Sequence, residues 1–164
     1  MNVVDPDGGG PLTVTIERRV EFADTDATGH HHYLAVLRWL EHAERVLHEQ
    51  LGIADETLGR LPRVHLEVDF FAAVHYREPI ELTLVIERVG RTSLTHSFRV
   101  ESGALLVAAG RYVVVLSAAI DGRSTPWPAE VRDRLSGTGT LPGERTADLP
   151  PSTVATVAAD TAAG

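Results

Sequence analysis

The clearest helical rhythm in this chain lies between runs that read as strand. From Tyr33 to Leu51 the apolar residues Val36, Leu40, Ala43, Leu47 and Leu51 recur at spacings of three and four, the period of one helix face. Leu37, Trp39 and Val46 widen that stripe. Arg38, Glu41, Glu44, Arg45, His48 and Glu49 form its polar complement, within which Glu44 and His48 read as a solvated pair. A stripe this wide predicts a helix packed into a concave surface, and Gly52 is a natural stop.

The neighbours of that helix alternate with a period of two. "TVTIERRVEF" precedes it, and "RVHLEVDFFAAV", "PIELTLVIERV", "SLTHSFRVES" and "ALLVAAGRYVVVLSA" follow, joined by short connections suited to hairpins. "PAEVRDRL" has the composition of a short terminal helix. Strands gathered around a single helix indicate an α+β fold, an antiparallel sheet of about five strands curled around the helix. The uncovered face and edges of such a sheet predict a homodimer or homotetramer. Residues 1–11 read as a flexible arm and 12–135 as the folded domain. Residues 136–164 lack aromatics and are rich in Gly, Pro, Ala and Thr, a composition that predicts a disordered tail.

Composition removes several kinds of chemistry. With no cysteine and no lysine (all 15 basic residues are arginine), thiolate nucleophiles, thiolate metal sites, Schiff bases and lysine-dependent phosphate loops are excluded. No serine sits in a G-x-S-x-G elbow. A net charge of −8 argues against a nucleic-acid partner. No apolar run reaches the roughly 18 residues of a membrane span. The acidic, glycine-rich "MNVVDPDGGGP" does not look like a signal peptide, so a cytoplasmic location is expected. Catalysis here must rest on carboxylates, histidines and backbone groups.

Those groups concentrate in "EFADTDATGHHHYLAVLRWLEHAE", residues 21–44. Three successive histidines point in different directions and lack the i, i+4 spacing of a helical metal pair, so no metal is expected. Two readings of Asp24, Asp26 and Thr28 remain. In one they make turns and cap the helix. In the other an aspartate lies beside the helix N-terminus, whose unpaired N–H groups suit a developing oxyanion, and acts as base or nucleophile on a carbonyl carbon. Gly29 then lets a ligand approach the backbone closely.

The run "VEFADTDATGHHHYLAVLRWLEHAE" resembles the motif of hot-dog-fold acyl-CoA thioesterases of the 4-hydroxybenzoyl-CoA thioesterase type, an apolar-x-F-x-D-x-D-x-x-G-[HI] stretch followed by a helix with an aromatic–x–acid pattern. The resemblance implies that Asp26 is the catalytic carboxylate and that the backbone N–H of Tyr33 supports the thioester oxygen. It implies that Gly29 and His30 shape the site and that Glu41 faces the acyl group, against a plain surface ion pair of Glu41 with Arg38 or Arg45. Many relatives read "GHVNN" where this chain reads "GHHHY", so His32 stands where an asparagine would bind substrate, and His31 reads as a surface histidine.

A second cluster, Arg88, Arg91, Thr92 and Ser93 in "ERVGRTSLTHSF", reads either as a solvated hairpin or as a set of phosphate ligands. The similar stretch in these thioesterases lies near the CoA nucleotide, often across a subunit boundary. The implied activity is hydrolysis of an acyl-CoA or acyl-carrier-protein thioester, with CoA as part of the substrate and no separate cofactor. Two alternatives are a hot-dog dehydratase acting on a 3-hydroxyacyl thioester through an Asp/His pair, and a non-catalytic acyl-CoA-binding protein.

Overall fold

The computed structural model describes residues 9–118 and 122–145. Strand β1 (Thr13–Arg19) leads through one 3-10 turn (Phe22–Asp24) into helix α1 (Tyr33–Gln50). After the short helix α2 (Ala54–Thr57) come strands β2 (Arg63–Phe70), β3 (Pro79–Val89), β4 (Ser93–Ser102) and β5 (Leu105–Val115). Helix α3 (Ala129–Leu135) and the two-residue strand β6 (Glu144–Arg145) complete the described part. The sheet has the order β2-β5-β4-β3-β1-β6.

The inward positions of the strands meet α1. Val14 and Ile16 of β1, Ile80, Leu82 and Leu84 of β3, and Phe98 and Val100 of β4 are buried with Val36, Trp39, Leu40, Ala43 and Leu47 of α1 in one cluster. β1, β3 and β4 contribute alternate residues, so β1 and β3 keep their other faces partly open. β3 and β4 are paired over almost their whole length, which fixes the two ends of the sheet. The end carrying Pro79 lies beside Arg19, the last residue of β1. The Gly90–Thr92 turn lies at the other end.

The expectation of a wholly antiparallel sheet with a tail beginning at Ser136 needs correction. β6 pairs with β1 in parallel, and Pro11 and Thr13 form bridges with Thr138 and Thr140. Composition failed here because the segment is held mainly by backbone bonds and by ion pairs of Glu144 and Arg145, with Leu141 as its apolar contact to the core. Glu144 reaches both His42 (2.9 Å) and Arg45 (3.4 Å) on α1. Gly143 lies against the carbonyl of Thr15 so closely that a Cβ would collide with it. Residues 146–164 and 1–8 lie outside the described part. No helix among the described residues is long and apolar enough to cross a membrane.

Candidate active site

The two acids of "DTD" face opposite ways. Asp24 is buried, where it needs compensating donors. Its Oδ2 accepts from the Glu21 N–H (2.9 Å) and the Trp39 Nε1–H (3.2 Å), and its Oδ1 from Arg38 Nη2 (3.1 Å). Its carbonyl accepts the His32 N–H at 2.6 Å. Asp24 therefore ties the loop to α1 and is turned away from solvent.

Asp26 stands exposed two residues on. Its backbone N–H donates to the His30 carbonyl and its own carbonyl accepts the Gly29 N–H, each at 3.0 Å. This tight turn requires Gly29 at φ 80, a left-handed conformation natural to glycine. Asp26 Oδ1 accepts from the Thr28 amide (2.8 Å) and the Thr28 hydroxyl (2.5 Å). Those two bonds, the hydroxyl's first, hold the Asp26 carboxyl below its ordinary range. Among the described residues its Oδ2 accepts no hydrogen bond, and neither oxygen bonds a histidine ring, the pair that the dehydratase alternative requires.

Neither acid nor Thr28 caps α1. His32 does so: its Nδ1 accepts the Leu34 N–H at 3.1 Å, and its carbonyl the Ala35 N–H at 2.8 Å. A neutral imidazole acceptor thus replaces the usual carboxylate or hydroxyl, and Asp26 is left without a capping duty. The Tyr33 N–H, first in the helix, has no acceptor among the described residues, while the Tyr33 ring is exposed. An unsatisfied amide at the positive end of an 18-residue helix is a fit donor for a developing oxyanion.

His30 and His31 join this loop to the segment after β2. His30 bridges to His75 through the backbone, and their rings lie 4.6 Å apart. His31, read from sequence as a surface residue, is buried. Its amide donates to the Val74 carbonyl at 2.8 Å and its Nδ1 accepts the Val74 N–H at 3.3 Å. Burial pushes its pKa down, so the ring stays neutral with its proton on Nε2. Its ring centroid lies 5.9 Å from Trp39 and 6.2 Å from Phe70. Thr28, His30, His31, Tyr33, Phe70 and Phe71 line a shallow cleft of about 410 Å³.

Other sequence candidates lie elsewhere. Glu41 is not in this cleft; its carboxylate is 3.6 Å from Arg63, not paired with Arg38 or Arg45. Glu44 and His48, read as a solvated pair, are both buried, because the concave sheet reaches round to the edge of the α1 stripe. Glu44 accepts from the Tyr112 hydroxyl at 2.8 Å and lies 3.4 Å from Arg63. Burial raises its pKa. His48 Nδ1 lies 2.8 Å from the Thr57 hydroxyl, which donates to the Ile53 carbonyl. Since that proton is committed, His48 Nδ1 must be the donor. Among the described residues no group of three His, Asp or Glu side chains is arranged to hold a metal ion.

Arg88, Arg91, Thr92 and Ser93 gather where β3 turns into β4. Both arginines are exposed and unpaired among the described residues. Thr92 and Ser93 are tied down through their carbonyls, which accept from Leu116 N–H and Trp127 Nε1. They lie at the opposite end of β3 from the Asp26 loop. Eleven residues of strand separate the two ends, roughly 30 Å at ~3.3 Å per residue. One chain does not bring the two clusters together. The sequence reading did not assign Thr28, Phe70, Phe71 and His75 to the site. The D-x-T spacing was a visible sign of a side-chain clamp, whereas Phe70 and Phe71 arrive through the pairing of β2 and its extension with β5, and His75 through its bridge to His30.

Comparison with known proteins identifies the family. The family profile of the thioesterase-like superfamily matches residues 20–135. A 1,4-dihydroxy-2-naphthoyl-CoA hydrolase of Prochlorococcus marinus is 33% identical over 95 residues, 51% of this chain and 61% of that protein, under two thirds of its length. A protein of the same name from a Synechococcus species is 29% identical over 69% of this chain and 93% of its own length. Among solved structures, a predicted thioesterase from Bacillus stearothermophilus superposes with a TM-score of 0.67 at 28% identity, covering 75% of this chain and 93% of that one. A 1,4-dihydroxy-2-naphthoyl-CoA thioesterase from Synechocystis gives 0.65 at 26%, covering 75% and 95%. The resemblance carried by Val20–Glu44 and the expectation of a thioester hydrolase are borne out, and the chain belongs to the thioesterase-like superfamily.

Proposed function

We propose that the chain hydrolyses an aromatic acyl thioester of CoA, with Asp26 as the reacting carboxylate and the Tyr33 N–H as the oxyanion donor. The observation that carries this reading is an exposed Asp26 carboxylate bound to Thr28, which lines one cleft with Phe70, Phe71, His31 and Tyr33, the residue whose helix-terminal amide is unsatisfied. Flat aromatic walls suit an aryl acyl group, and the named relatives act on a naphthoyl-CoA.

Two routes consume one water and release a carboxylic acid and the CoA thiol. In the first, Asp26 Oδ2 adds to the thioester carbon, the carbonyl electron pair moves to the oxygen held by the Tyr33 N–H, and collapse expels the thiolate. Water then cleaves the mixed anhydride and restores the carboxylate. In the second, Asp26 takes a proton from water, whose oxygen adds to the same carbon, and that proton passes to the leaving sulfur.

The assembly proposed with this activity is a homodimer through β2. That strand ends the sheet, and its residues Val64, Leu66 and Phe70 are exposed. A long apolar edge of this kind calls for a partner. A second copy is also the means by which the distant Arg88 and Arg91 come to serve the CoA phosphates. Thiol release from a panel of aromatic and aliphatic acyl-CoAs, compared between the wild type and Asp26→Asn, tests the reading. Equal turnover by both proteins would refute the role of Asp26.

A further inference from the structure

The site contains a side chain that neither the family resemblance nor the proposed chemistry assigns. Thr28 touches Asp26 twice, through its amide at 2.8 Å and its hydroxyl at 2.5 Å, both to the same oxygen, Oδ1. The hydroxyl oxygen also has His30 on its far side. The His30 N–H lies 3.4 Å away and the His30 Nδ1 3.3 Å away. A hydroxyl has one proton to give. If His30 donates from Nδ1, the proton of Thr28 is directed wholly at Asp26.

We propose that Thr28 is a positioning residue, backed by His30, that pins Oδ1 of Asp26 and so presents Oδ2 alone to the thioester. This deepens the thioesterase reading and rests on it. The physical case is geometric. Asp26 is exposed, and an exposed carboxylate ordinarily samples rotamers about its terminal torsion, exchanging its two oxygens. Two donors on one oxygen remove that exchange. A carboxylate fixed before substrate arrives approaches the carbonyl carbon from one direction only. The same donors favour the charged form, which lets Asp26 serve at lower pH.

The titratable groups around this clamp come from three elements. His30 and His32 belong to the loop and the helix cap, and both act electrostatically on Asp26. Tyr33 opens α1. From the segment between β2 and β3, His75 faces the His30 ring and is itself held by Glu78 at 3.0 Å. The Thr28–Asp26 bond acts on the acid limb of a pH profile.

The test compares pH profiles of kcat/KM for one aryl-CoA in the wild type, Thr28→Val and Thr28→Ser. Valine keeps the shape and the backbone amide but removes the hydroxyl. The acid limb of Thr28→Val is expected at higher pH, with kcat at pH 7 lower by about tenfold and KM unchanged. Thr28→Ser is expected to restore both. A purely structural threonine would lower the melting temperature without moving the limb, and that result overturns the proposal. Should Thr28→Val fold poorly, the carboxyl carbon of Asp26 is titrated by NMR in the wild type and Thr28→Ala, a readout independent of turnover; coincident curves overturn the clamp. The two levels separate cleanly. Loss of turnover in Asp26→Asn beside an unaltered Thr28→Val defeats the clamp alone. A wild type inactive on every thioester defeats the underlying reading and the clamp with it.

Discussion

The indole N–H of Trp39, two turns into α1, donates to Oδ2 of Asp24 at 3.2 Å. That bond, with Arg38 on Oδ1 at 3.1 Å, fixes the distance between the loop carrying Asp26 and the helix terminus carrying the Tyr33 N–H. Removing the carboxylate strands a buried indole donor and an arginine. Asp24→Ala should therefore lose about 3 kcal/mol of stability, and Asp24→Asn, which keeps the shape and one acceptor, about 1 kcal/mol. Urea unfolding measures both. An Asp24→Ala protein as stable as the wild type would show that the loop is held by other contacts.

Asp26→Asn should behave in the opposite way. The side chain is exposed, so unfolding should be unchanged while kcat falls on the order of a hundredfold or more. KM should stay within a few-fold, because the amide has nearly the same size as the acid. Steady-state thiol release gives both constants.

His48 predicts an acid-sensitive fold. Burial lowers its pKa from 6.5 to about 4, and its Nε2 has no partner among the described residues. Between those two values the unfolded chain takes up a proton that the folded chain refuses. The stabilisation is thus fully present above 6.5, is lost as the pH falls toward 4, and falls no further below that, a loss on the order of 3 kcal/mol. Fully buried His96 is lowered too and acts with the same sign. Glu44, whose pKa is raised, acts against them: its folded state gains relative stability as the pH falls through that raised pKa. His48→Gln should flatten the curve of melting temperature against pH between 4 and 6.5 in part, with His96 supplying the remainder. An unaltered slope would rule out His48 as its source.

The exposed apolar positions of β2 give a fourth expectation. Charges on Val64 and Leu66, which are 59% and 39% exposed, leave the single chain intact but repel across a two-fold axis. The wild type is expected to elute as a dimer in light-scattering chromatography and the double variant Val64→Asp/Leu66→Asp as a monomer. A monomeric wild type would remove the β2 interface, and with it the route that brings Arg88 and Arg91 to the ligand.

Much of this protein was legible from local pattern. The period-two runs at Pro79–Val89 and Ser93–Ser102 and the helix from Tyr33 correspond to β3, β4 and α1 as observed, because alternation and helical spacing are properties of neighbouring residues. The motif of Val20–Glu44 carried the family for the same reason. Tertiary structure alone decided the rest. It buried His31 against Phe70 and Trp39, set Glu44 under the Tyr112 hydroxyl, and separated Asp26 from Arg88 by the length of a strand. It also recruited Glu144, 102 residues beyond His42, to hold β6 against β1. Each of these depends on groups far apart in the chain, and whether a polar side chain is solvated or buried is decided by the partner that reaches it, which its own neighbours do not encode.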